Sequence, residues 1–161
     1  MNLFKIKKLQ QGFTLIELLV VIGILAVLLA ITLIAINPAR QFAQANNTQR
    51  SSDVNAILNA VGQYLVDNKG DLSAMTALNL TATPTDIVDV TTDPAGVDIC
   101  ALLVPDYIAA MPVDPQNGSW TDCVTYDTQY EISVSATNNR VTVAATAESV
   151  GGSTPVISVT R

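Results

Sequence analysis

Residues 12–36 read GFTLIELLVVIGILAVLLAITLIAI, an apolar run with one acidic letter in it, Glu17. From Leu18 to Ile36 there are 19 residues without a formal charge. As a helix rising about 1.5 Å per residue they would reach about 28 Å, close to the thickness of a bilayer's hydrocarbon layer. Lys5, Lys7 and Lys8 precede the run with no acid among them. The positive-inside tendency therefore predicts that residues 1–12 stay in the cytoplasm and that the rest of the chain is exported. A carboxylate at the centre of a membrane helix costs about 2.5–3.5 kcal/mol on insertion scales, so an acid in such a run calls for a partner and a task.

Outside this run the composition changes. The chain has 161 residues, enough for one compact domain and an extra element, and 49% of them are hydrophobic. The mean hydropathy of +0.37 arises largely in the N-terminal third, because beyond residue 40 Thr, Asp, Asn, Ser, Ala and Val dominate. Taking the three leading lysines from 8 basic residues leaves 5 against 14 acidic ones from Phe13 onward, a net charge of −9. Such a body repels phosphate backbones, and no basic patch with interleaved aromatics is present, so direct nucleic-acid binding is not expected. Histidine is absent, which removes Ser-His-Asp and Cys-His catalysis and any His-containing zinc site. With no nucleophile motif or Gly-rich phosphate loop either, the chain reads as a non-enzyme.

Three readings of the N-terminus compete. A secretory signal peptide fits poorly: the apolar stretch exceeds an ordinary h-region, and Asn37, Arg40 and Gln41 separate it from the small-residue site Ala43-Gln44-Ala45. A plain single-pass anchor has no use for Glu17. The third reading rests on the string QQGFTLIELLVVIGILAVLLAI, residues 10–31, which closely resembles the N-terminus of type IV prepilins and of the pseudopilins of type II secretion. The resemblance implies a leader cut after Gly12 by a dedicated membrane peptidase, which also N-methylates the new first residue, Phe13. It further implies a stem helix that packs into a homo-oligomeric helical filament, with an inner-membrane assembly platform and its ATPase as partners. Cleavage would turn a neutral amide into an ammonium four residues from Glu17, on the same face if the helix runs through both. Within one subunit or between neighbours, that charge pair would fix the stagger of otherwise slippery helices, as a buried polar residue fixes coiled-coil register.

Further along, Asn37-Pro38 predicts a kink or a short unwound segment, since proline removes a donor and clashes with the preceding turn. Gly23 is a second soft point, better explained by close helix packing. Arg40 to Asp67 reads as helix, with Val54, Ile57, Leu58, Val61 and Leu65 at helical spacing and a stop at Asn68-Lys69-Gly70. If Pro38 only bends the chain, Phe13 to Asp67 would form one helix of about 80 Å. Asp71 to Thr92 reads as irregular connection with a short strand near Ile87 to Val90, Ile99 to Ala110 as a short helical turn and a packed crossing, and residues 111–118 (MPVDPQNG) as turns. Strands are expected over Gln129 to Ala136 and Arg140 to Thr146 with a turn at Asn138-Asn139, and further ones over Cys123 to Tyr126 and, at an edge, Pro155 to Thr160. The expected fold is thus α+β: a cleaved leader (1–12), a transmembrane and filament-core helix (13–36), an amphipathic half (37–70) and a head (71–161) whose antiparallel sheet packs on that half.

Cys100 and Cys123, the only cysteines, fall on the exported side, where a disulfide would persist and contribute roughly 3 kcal/mol. The family often staples its head this way, although nearer the C-terminus than here, where 38 residues follow Cys123. Calcium is the one cofactor to consider, at Asp114, Asn117, Asp122 and Asp127, because major pseudopilins are known for it. No EF-hand spacing supports that, and solvated loop carboxylates are the plainer reading. The whole points to a pilus-type structural subunit, with a pseudopilin of a secretion or DNA-uptake system as the alternative and an unrelated anchored or secreted protein further off.

Overall fold

The computed structural model describes residues 12–70 and 80–161. The lysine-bearing segment up to Gln11 and the connection over residues 71–79 lie outside the described residues. The chain divides into two units, Met1–Pro38 and Ala39–Arg161.

In the first unit, α1 (Leu15–Ile36) begins where Thr14, extended at φ −81° and ψ 152°, caps it. Apart from Glu17 the helix is apolar all round and has no buried residue, and it is long and apolar enough to cross a membrane. It stops because Asn37 turns left-handed (φ 48°, ψ 77°), a conformation that asparagine tolerates better than most residues. Pro38 then opens α2 (Pro38–Asp67) at the first helical position, where its missing N–H is no loss. The helical run from Leu15 to Asp67 is therefore two helices parted by the single residue Asn37.

The second unit is built on α2. Ala43, Asn47, Arg50, Val54, Ile57 and Val61 recur at helical spacing and are all buried, so the inward stripe continues upstream through two polar residues. Lys69 and Gly70, at φ 61° and 70°, end the helix, with the Gly70 N–H donating to Leu65 O at 2.7 Å. After the connection come β1 (Thr85–Val88), the single turn α3 (Cys100–Leu103), β2 (Ser119–Asp122), β3 (Thr125–Val134), β4 (Val141–Ala145) and β5 (Ile157–Thr160). All pairings are antiparallel, in the order β1-β3-β4-β5, and β2 pairs with the start of β3 on the flank opposite β1, since Asp127 opposes both Val88 and Ser119. The strand expected over Cys123 to Tyr126 is instead a tight turn followed by the start of β3. Asp122 accepts the Val124 and Thr125 N–H groups at 2.9 Å each, which bends the chain there.

Along β3, Tyr126, Thr128, Tyr130 and Ile132 face inward. Asp86 and Val88 oppose Glu131 and Asp127, so β3 carries two extra residues around Gln129, whose φ is 58°. The inner face of the sheet and the α2 stripe enclose one core, in which Val54, Ile57, Ile87, Tyr130, Ile132 and Val143 are wholly buried. β5 is the open margin of the sheet, pairing on one side only with β4 among the described residues.

Candidate functional site

At the start of α1, Gly12, Phe13 and Thr14 are non-helical and the helix begins at Leu15. The Thr14 side chain accepts the Glu17 N–H at 3.3 Å, while the Thr14 N–H and hydroxyl each donate to Glu17 Oε2 at 2.7 Å. This reciprocal cap satisfies two orphan groups of the helix and gives the Glu17 carboxylate two donors from its own chain. Phe13 thus precedes the helix, two residues before its first turn. The T-x-x-E spacing at residues 14–17 was the legible signal for this cap; a search for a cationic partner passes over it. All large side chains of the segment are open, Phe13 being 88% exposed and Ile16 67%.

Pro38 lies at the joint already described. Cys100, at the start of α3, and Cys123, in the β2–β3 turn, form a disulfide with their Cα atoms 5.3 Å apart. It ties the crossing between β1 and β2 to the β2–β3 turn.

A second polar assembly holds the head to α2. Arg50 is 2% exposed, and its Nε donates to Asp114 Oδ2 at 2.5 Å. Its Nη1 donates to Glu148 Oε1 at 2.7 Å and to Asn47 Oδ1 at 3.0 Å. The Asn47 carboxamide in turn bonds both backbone groups of Glu148, taking its N–H at 2.9 Å and giving to its C=O at 2.8 Å, as a neighbouring strand would. Asn46 completes the grip on Glu148 Oε1 at 2.9 Å. Burial by itself would raise the Asp114 carboxyl, but Arg50 and the N–H groups of Asn117 and Gln116 hold it below its ordinary value. Asn46 first, then Arg50, lowers Glu148. Asp53 runs the other way: burial raises it, although the Tyr130 hydroxyl donates to it at 2.9 Å. No sequence reading singled out Asn47, Arg50 or Glu148; the repeat through positions 43, 47, 50 and 54 could have done so.

The four calcium candidates do not converge. Asp114 is engaged by Arg50 and by the Gln116 and Asn117 N–H groups, Asp122 by its turn, and Asp127 by Gln129 at 2.7 Å and 3.0 Å. Among the described residues no three His, Cys, Asp or Glu side chains form a group that could hold a metal.

Comparison with known families matches residues 7–33 to the prokaryotic N-terminal methylation motif, the signature of prepilins and pseudopilins. No significant match was found among curated proteins or among solved structures.

Proposed function

We propose that this chain, which carries the N-terminal methylation motif, is the precursor of a major-pilin-type structural subunit of a type IV pilus-type filament. It enters the inner membrane with its lysines inside, is cut after Gly12, is N-methylated on Phe13, and joins copies of itself through α1. The observation that carries the reading is Glu17 on the third residue of a 22-residue helix that is otherwise apolar and nowhere buried.

Hydrolysis of the Gly12–Phe13 amide leaves a carboxylate on Gly12 and an ammonium on Phe13, and methylation of that amine keeps its charge. Glu17 then gains a cation near the Thr14 donors it already holds. Stems leaving lipid for a bundle gain van der Waals packing and polar pairing rather than ordinary hydrophobic energy, because lipid tails are as apolar as leucine. A charge pair that closes at one offset between stems favours that offset over the others. The disulfide suits an exported head.

Mass spectrometry of the purified protein tests the reading. A chain beginning with N-methylated Phe13 is expected, and one beginning at Met1 or Asn46 overturns it. Glu17→Val should leave membrane insertion intact and reduce filament yield; normal filaments from that variant refute the register role. Electron microscopy of cells separates a long surface pilus from a short secretion-type pseudopilus.

A further inference from the structure

On the solvent side of α2 lies a groove of about 600 Å³ lined by Gly62, Gln63, Val66, Asp67, Asp106 and Tyr107. Tyr107 is fixed as one wall by its hydroxyl, which donates to Asp67 Oδ2 at 3.0 Å, and by an edge contact with Tyr64 at 5.8 Å between centroids. Arg161 closes one end, with Nη1 donating to Asn59 Oδ1 at 2.5 Å. Gly62 sits inside a 30-residue helix, where glycine is less stable than alanine, yet a Cβ there would meet nothing within 4 Å. Nothing among the described residues needs that position bare. Val66, one helical turn on, is 76% exposed. A bare backbone patch beside an open valine suits an approaching backbone from another molecule.

The charge of the groove selects that molecule. Its acids are Asp67 and Asp106, both exposed, in a body of net charge −9 that carries only five basic residues after the leader. Arg50 is buried against two carboxylates, Arg161 already lines the groove, and Arg40 lies under Gly151. Lys69 stands two residues from Asp67, so a contact through it would set like patches against each other. Arg140 is left: it is exposed at the end of the β3–β4 hairpin loop, and no side-chain partner holds it among the described residues. It precedes Val141, which faces the core at 3% exposure, so by strand alternation Arg140 is turned from the α2 side. Groove and hairpin tip are therefore different patches, and a contact between them repeats from copy to copy instead of closing a dimer.

We propose that the Gly62 groove receives the β3–β4 hairpin tip of a second copy, with Arg140 of that copy reaching the Asp67 and Asp106 carboxylates. The contact deepens the filament reading and rests on it. It adds a lateral bond between heads to the packing of the stems.

Full-length chains carrying Gln63→Cys and Asn139→Cys together test it. Sheared filaments, oxidised and run without reductant, should give a ladder of dimers, trimers and longer species, and either single substitution alone should give none. Visible filaments that yield monomer only overturn the contact while leaving the filament reading standing. An unmodified chain that makes no filaments overturns both. Arg140→Glu should lower filament yield about tenfold by setting like charges across the contact, and Asp67→Lys with Asp106→Lys should restore it. Equal yields across these charge variants refute the pairing. Gly62→Leu should block filaments and leave head unfolding unchanged; undiminished filaments from it also refute the groove.

Discussion

At the scale of single residues, Arg50 ties α2 to the head through a buried ion pair. Its guanidinium and the Asp114 carboxylate have side-chain exposures of 3% and 6%, so neither reaches water if the other is removed. Arg50→Met should destabilise the head by about 3 kcal/mol, toward the low end for a broken buried pair because Asp114 keeps two backbone donors. Urea denaturation of detergent-solubilised protein measures this, and adding Asp114→Leu should recover part of the loss, since an apolar pair leaves no charge stranded. Asn47→Leu should cost about 2 kcal/mol in the same assay, because both backbone groups of Glu148 lose their partner. Asn47 and Arg50 were legible only by position, on the repeat through 43, 47, 50 and 54; their polar side chains alone score as solvent-facing on a helical wheel, and the residues they meet 64 to 101 positions away make them buried. Glu17 was legible because its surroundings, not its partners, made it anomalous.

At the scale of elements, periodicity located α2, with Val54, Ile57, Leu58 and Val61 buried as their spacing requires. Alternation likewise located β4 and the second half of β3. It failed at Cys123 to Tyr126, where Asp122 captures two N–H groups and turns the chain before β3 begins, a local competition that an apolar pattern does not register. The two extra residues of β3 at Gln129 are equally silent in the sequence, since tyrosines 126 and 130 keep even spacing across them. The disulfide joins two such weakly patterned elements, α3 and the β2–β3 turn. Replacing Cys100 and Cys123 together with alanine should therefore cost about 3 kcal/mol, read as a lower urea midpoint with the slope retained.

At the scale of the molecule, the titrating groups of the head bound the pH range in which it is stable. Thr91 and Thr92 donate to Asp89 and hold it far below the ordinary carboxylate range, and Asp114 and Glu148 are also lowered. Their contribution is complete above the unfolded values of about 4 and is lost as pH falls through the lower native ones. Asp53, raised by burial, opposes this trend, because its strain at neutral pH is relieved on protonation. Burial, and then bonds to Asp98 and Asp53, raise Tyr126 and Tyr130, so their contribution is complete below the unfolded value of about 10 and declines at higher pH. A urea midpoint that is flat between about pH 5 and 9 and falls on both sides is expected, and one that rises below pH 4 would contradict the three lowered carboxyls.

The four-residue length of β5 matters most when copies are crowded. With Pro155 two residues upstream and Arg161 directly after it, this strip of free peptide groups is too short and too guarded to recruit another chain edge to edge. In a filament of the kind proposed, neighbouring heads could therefore stand side by side without this edge seeding cross-β pairing.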